Sequence, residues 1–307
     1  MAEQWTLPRD APVAVLGAGL MGHAIAAIFA SQGYAVTCVE PDDEARRSLD
    51  ARMHEVLSQL NAVTPVAQAV TVVEHVSQLD RFTPLVIEAA PELLALKQNL
   101  LREVAETCPT AVIATNSSVY RVSDVGALVE DRSRVLGTHW WNPPHLMPLV
   151  EVIQGADSNA TVVKGMITLL ASLGKTPVHV KKDTPGFIGN RLQHAMWREA
   201  MALVQEGICD VEAVDVVARN TLGLRLSAIG PIENADYVGL DLTMSIHEYV
   251  FPALSTAQEP LEVLQDAVRH GKLGAKTGSG LLCWSEGRRE ETKRRIDERL
   301  KVLLALQ

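Results

Sequence analysis

Residues 13–22 read Val-Ala-Val-Leu-Gly-Ala-Gly-Leu-Met-Gly, a short apolar run that passes straight into three glycines spaced as GxGxxG. That spacing makes a specific demand on the backbone. Gly17 has to make a tight turn, Gly19 has to leave backbone open to an approaching pyrophosphate, and Gly22 has to let the next helix pack close against the strand. The flanking pattern supplies the context, because residues 13–16 read as a strand and residues 20–31 show apolar positions three and four apart. Glu40 then closes the next β-branched run, where a carboxylate can accept hydrogen bonds from the adenosine ribose hydroxyls. Pro41, Asp42 and Asp43 follow it without an arginine to offset a 2′-phosphate. The cofactor expected from these residues is NAD, held at Gly17, Gly19, Leu20, Met21, Gly22 and Glu40.

The same alternation continues. Strands are expected at 35–39, 70–73, 85–88, 111–115 and 134–138, with amphipathic helices at 43–60 and 93–106. Two further runs, 149–153 and 177–180, flank a helical stretch at 160–173 and extend the sheet. The fold class is therefore α/β, a Rossmann-type doubly wound parallel sheet. Near residue 183 the β-branched pattern stops. Asp183 and Thr184 can cap a helix with Pro185 in its first turn, running to about residue 205. Helices are expected near 211–219, 232–249, 258–270 and 288–305, so a mainly helical second domain, 185–307, follows the nucleotide domain, 1–184.

Bulk properties narrow the partners. A chain of 307 residues is long enough for two cores. With 28 basic and 37 acidic residues its net charge is −9, the wrong sign for neutralising many phosphates, so nucleic acid is not expected. Cys38, Cys108, Cys209 and Cys283 form no CxxC pair, which argues against a disulfide framework or a metal site. The first residues lack a basic stretch leading into an apolar run, and no uncharged run approaches a bilayer span. A cytoplasmic location away from membranes is the expectation.

His139 and Glu151 carry the chemistry. Residues 135–153 place His139 at the end of one strand and Glu151 inside another, with a proline-containing turn between them. A carboxylate in the apolar run Leu-Val-Glu-Val-Ile is costly to bury without a partner, and the histidine across the turn is the nearest candidate. Such a pair is either structural or a general base with its electrostatic support, the carboxylate fixing the imidazole tautomer.

Beyond these local readings, the whole chain resembles the L-3-hydroxyacyl-CoA dehydrogenase family. The likeness runs through Gly17-Ala-Gly-Leu-Met-Gly22, Asn116-Ser-Ser118, His139-Trp-Trp-Asn-Pro143, Leu149-Val-Glu-Val-Ile153, Asp183-Thr-Pro-Gly-Phe-Ile-Gly-Asn-Arg-Leu192 and Gly274-Ala-Lys-Thr-Gly-Ser-Gly280. By that resemblance His139 is the catalytic base and Glu151 its partner, while Ser118 and Asn190 contact the substrate oxygens. It also implies that Asn142 holds the nicotinamide and that Glu92, Lys97, Asn116, Ser118 and Lys276 line the nucleotide. A helical second domain that closes on the substrate and forms a homodimer is a further implication of the family.

Three departures matter. The stretch from Glu40 to Leu85 is shorter than in members acting on CoA thioesters, and no lysine precedes Lys97. Only Arg46, Arg47, Arg52 and Arg81 are available there for a polyphosphate ligand. Trp140 and Trp141 replace the usual phenylalanine pair, which is similar to the small-substrate branch of carnitine, gulonate and pyridoxine-breakdown dehydrogenases. Val119 and Gly189 also depart from the family pattern. The expected reaction is oxidation of a secondary alcohol beta to a carboxylate or thioester, on a small 3-hydroxy acid rather than an acyl-CoA substrate. Rival readings are a true 3-hydroxybutyryl-CoA dehydrogenase, an aldehyde-oxidising relative of the pyridoxine-breakdown type, and a non-catalytic NAD-binding protein like the lens crystallins. Intact Ser118, His139, Glu151 and Asn190 argue against the last.

Overall fold

The structure is a computed structural model in which residues 4–60 and 70–306 are described. Among the described residues, eight strands form its sheet: β1 (Val13–Leu16), β2 (Val36–Val39), β3 (Val70–Val73), β4 (Leu85–Glu88), β5 (Val112–Thr115), β6 (Val135–Trp140), β7 (Leu149–Ile153) and β8 (Thr176–Val180). Their order is β3-β2-β1-β4-β5-β6-β7-β8, parallel throughout except for the antiparallel pair β6 and β7. This is the doubly wound sheet expected from the sequence, widened by two strands.

Side-chain alternation builds both faces. Every residue of β1, β4 and β5 is buried. Val13 and Val15 enter one apolar cluster with the Gly22–Ser31 helix, while Ala14 and Leu16 enter the other with the Leu94–Thr107 helix. Period-2 geometry places alternate residues on opposite faces, so a strand covered on both sides is apolar wherever its side chains lack a polar partner. The carboxyl ends of β1, β2, β4, β5 and β6 therefore meet along one edge, the position where open α/β sheets hold their ligands.

Several boundaries differ from the sequence reading for identifiable reasons. The helix expected over 43–60 is two helices, Asp43–Arg47 and Leu49–Gln59, separated at Ser48. The helix expected over 232–249 breaks at Gly239, whose φ of 104° lies in the left-handed region that favours glycine. The helix expected to begin at the Asp183-Thr184 cap begins instead at Gly189. Asp183 caps a different segment: its carboxylate accepts from the backbone N–H groups of Val122 and Ser123 and from the Ser123 hydroxyl. Residues 184–188 form a turn in which Gly186 and Phe187 both have positive φ, 72° and 52°. That turn shifts the helix start onto the residues that face Glu151.

The chain divides into two compact units, Met1–Arg191 and Leu192–Gln307. Helices make up the second: most of Gly189–Gln205, then Val211–Asn220, Leu222–Leu226, Pro231–Val238, Leu240–Val250, Glu262–Arg269 and Glu286–Leu304. No residue of the six helices after residue 210 is buried. Among the described residues no helix is long and apolar enough to cross a membrane.

Candidate active site

The glycine turn meets its three demands. Gly17 has φ 88°, and a Cβ there would stand 2.9 Å from the Ala89 carbonyl oxygen. At Gly22 a Cβ would lie 1.8 Å from the Gly17 oxygen, so only glycine lets the helix begin against the turn. Gly19 has no heavy atom within 4 Å of its Cβ position and is exposed. No side chain caps the Gly22–Ser31 helix and no acid stands in its first turn, which leaves its positive end for phosphate. A cavity of about 620 Å³ opens here, lined by Gly17, Gly19, Leu20, Met21, Glu40 and the apolar side chains of Val39 and Val76. Glu40 is buried at its edge, one oxygen accepting from Ala18 N at 2.7 Å and the other from Asp42 N at 2.9 Å. These residues fit NAD: an open phosphate turn, an apolar adenine wall and a fixed carboxylate beside the ribose position.

The His139–Glu151 pair is set by strand register. β6 and β7 run antiparallel with His139 directly opposite Glu151, and the imidazole Nδ1 lies 2.8 Å from Glu151 Oε2. Both residues are buried. The other oxygen, Oε1, accepts from the backbone N–H groups of Ile188 and Gly189 at 2.9 and 3.0 Å, where the Gly189–Gln205 helix starts. Burial pushes the Glu151 carboxyl up, but the His139 hydrogen bond and the two backbone donors outweigh it and hold the group below its ordinary value. A carboxylate can only accept, so Nδ1 is the donor, and in the neutral imidazole that leaves the lone pair on Nε2. Trp141 and Phe187 flank the imidazole, with ring centroids 5.1 and 5.6 Å away. The absent side chain at Gly189 makes room for this, since a Cβ there would meet Trp141 Cζ2 at 2.3 Å.

A second group converges on the loop after β5. Asn190 Nδ2 donates to the Ser118 carbonyl at 2.7 Å, and Asn116 Oδ1 accepts from Trp140 N at 2.9 Å. Glu92 Oε1 accepts from the Ser117 hydroxyl and from the N–H groups of Ser118 and Val119. Lys97 is 1% exposed, its ammonium 2.8 Å from Glu88 Oε1, 3.1 Å from the Ala90 oxygen and 3.2 Å from Glu92 Oε2.

Comparison with known proteins decides the family. Residues 12–184 match the 3-hydroxyacyl-CoA dehydrogenase NAD binding domain, and residues 186–284 match the C-terminal domain of the same enzymes. The chain belongs to the 3-hydroxyacyl-CoA dehydrogenase family. It is 31% identical over 96% of both chains to 5-formyl-3-hydroxy-2-methylpyridine 4-carboxylate 5-dehydrogenase of Mesorhizobium japonicum. It is 36% identical to L-carnitine dehydrogenase of Streptomyces coelicolor, over 72% of this chain and 71% of that one. A crystal structure of a 5-dehydrogenase acting on the same pyridine compound, described as an NAD+ dependent dismutase, superposes with a TM-score of 0.87 over 97% of each chain at 29% identity.

Members of this family of NAD-dependent dehydrogenases that are similar to the chain are named for a pyridine carboxylate, for carnitine and for acyl-CoA substrates. The first unit of the chain brings together His139, Glu151, Asn190, Ser118, Asn116 and Glu92 through the contacts above. Asn142 is exposed in the turn that follows β6, and Lys276 is exposed in the second unit, between the paired Gly274 and Ser279. Sequence reasoning passed over two residues. Glu88 ends the apolar run Leu-Val-Ile-Glu, the same signal that singled out Glu151, and Lys175 lies beside Trp140. The Lys175 ammonium donates to the Pro144 and Met147 carbonyls at 2.6 and 3.1 Å and stands 5.7 Å from the Trp140 ring centre. His145 Nε2 lies 2.8 Å from Gln59 Oε1.

Proposed function

We propose that this dehydrogenase oxidises the secondary alcohol of a small 3-hydroxy acid that carries no CoA. The observation that carries the reading is the buried 2.8 Å contact between His139 Nδ1 and Glu151, which leaves Nε2 to accept the hydroxyl proton. NAD, when bound, supplies the acceptor for the hydride. As the proton moves to His139, the carboxylate of Glu151 stabilises the imidazolium, and its two backbone donors keep it in place. Ser118 and Asn190 orient the substrate oxygens. Nucleotide contacts are assigned to Gly17, Gly19, Leu20, Met21, Gly22, Glu40, Glu92, Asn116, Ser118, Asn142 and Lys276, with Lys97 behind Glu92.

The preference for a small acid rests on what the basic groups after β2 already do. Arg46 donates to the carbonyls of Glu40 and Pro41, and Arg52 to those of Ala18 and Ala45. Arg47 pairs with Asp43. These guanidiniums are committed to the protein rather than gathered for a polyphosphate. The full-length match to the pyridine-compound enzyme favours a second reading, in which the same pair activates water on a bound aldehyde and an acid forms as NAD is reduced.

An NAD-reduction panel distinguishes them, with 3-hydroxybutyryl-CoA, carnitine, gulonate and 5-formyl-3-hydroxy-2-methylpyridine 4-carboxylate as substrates. The proposal predicts the highest kcat/KM on a free hydroxy acid. Preference for the CoA thioester would overturn it, and acid formation matching NADH formation would select the aldehyde reading.

We also assign residues 185–307 to substrate closure and homodimerisation. The six helices after residue 210 bury no side chain, yet expose Ile232, Tyr237, Leu240, Met244 and Tyr249. Apolar faces of that extent in a folded unit call for a covering surface, and a second copy offers it. Placement in the cytoplasm is supported by four cysteines that are all free thiols.

A further inference from the structure

The edge of the sheet that holds the proposed site also contains a buried charged cluster behind Glu92. Glu88 is fully buried at the end of β4, and Lys97 is almost as deeply buried in the first turn of the next helix. Taking two charges out of water costs several kcal/mol per ion, repaid only by close geometry and by satisfying the remaining donors and acceptors. Here both sides are saturated. Glu88 accepts from Lys97 at 2.8 Å, from Ala90 N at 2.7 Å and from the Thr115 hydroxyl at 2.6 Å. The three donors of Lys97 reach Glu88, the Ala90 oxygen and Glu92.

Stability alone does not account for such a pair, because well-packed apolar residues in its place are commonly neutral or better. Its third member suggests what does. Glu92 faces Lys97 with Oε2 at 3.2 Å and turns Oε1 to the loop after β5. There it takes the Ser117 hydroxyl at 2.5 Å and the N–H groups of Ser118 and Val119 at 3.0 and 3.3 Å. One ammonium thus joins the buried carboxylate to the carboxylate that holds the Ser118 backbone.

We propose that Glu88, Lys97 and Thr115 are positioning residues for Ser118: Glu88 and Thr115 fix the ammonium, Lys97 aims Glu92, and Glu92 holds residues 117–119 in place. This rests on the reading of Ser118 as a substrate contact. Asn190, which donates to the Ser118 carbonyl, is fixed by the same loop. An apolar pair at 88 and 97 would fill the same space but would leave Glu92 without its cation.

Two variants test this, Glu88→Gln and the paired Glu88→Leu/Lys97→Met, the second removing both buried charges together so that the fold persists. Amide hydrogen exchange of the full-length protein is read by mass spectrometry over residues 117–121. The proposal predicts exchange at least about tenfold faster there in both variants, with the other strands protected as in the wild type. Unchanged exchange at 117–119 in the folded double variant would overturn it, as would acceleration spread evenly over the first unit.

A second readout uses the panel compound that the wild type turns over fastest. The double variant should lower kcat by about tenfold, and adding Ser118→Ala should cost little more, since both act through one contact. Fully additive losses would mean a structural role only. Full turnover by Ser118→Ala alone would refute the substrate contact itself, and the exchange measurement would still decide the relay.

Discussion

At the scale of single residues, the site depends on complementary sizes and on where protons sit. Trp141 occupies the space that a side chain at 189 would take. Gly189→Ala should therefore force the indole against His139, lowering stability by about 1–3 kcal/mol and reducing kcat. Adding Trp141→Phe should restore much of both, as melting and steady-state rates would report. Equal losses in the single and double variants would contradict the packing account. Glu151 yields a pH prediction. Its carboxyl is held below the ordinary value of 4.5, so its contribution to stability is complete above that value and is lost as pH falls through the lower folded one. The stability difference between wild type and Glu151→Gln should shrink on acidification below 4.5, measured by urea unfolding. A difference that stays constant there would argue that the carboxylate gains nothing from His139. Glu40, His139 and Glu151 were legible in the sequence because each interrupts an apolar pattern at a position with chemical meaning. Lys97 and Glu92 were reached only through family resemblance, since what joins them to Ser118 is a contact across two loops that no spacing reveals.

At the scale of elements, the strands were legible almost to the residue because buried parallel strands are written in β-branched runs. Helix boundaries were not. Asp183 reads as a cap for the segment beginning with Pro185, yet it caps the Val122–Val125 turn from across the sheet. The glycine at 239 breaks a pattern whose apolar spacing runs on through it. Lys175, just before β8, was invisible for the same reason as Glu92: its partners are backbone carbonyls of the 144–147 turn. Burial brings its ammonium down from 10.5 to about 8. Since the charged form is disfavoured in the fold, the penalty is complete below about 8 and disappears as pH rises to 10.5. Relative to Lys175→Met, the wild type should gain on the order of 3 kcal/mol of stability over that interval. Guanidinium unfolding at both ends of it measures the change, and a flat difference would contradict the assignment.

At the scale of the whole molecule, two units divide the work by composition. The first buries an alternating apolar sheet and carries His139, Glu151 and the glycine turn, while the second is helical and buries no side chain in its six later helices. A dimer through that second unit predicts a molar mass of twice 33.3 kDa by light scattering. Replacing Tyr237 and Tyr249 with Glu should yield the monomer, and a monomeric wild type would remove the assignment. The central claim is that the His139 imidazole, backed by Glu151, accepts the substrate proton, and His139→Gln tests it most directly. Turnover of the preferred panel substrate should fall by about a hundredfold or more while NADH binding, followed by fluorescence titration, stays within a few-fold of wild type. Turnover that survives the substitution would contradict the claim.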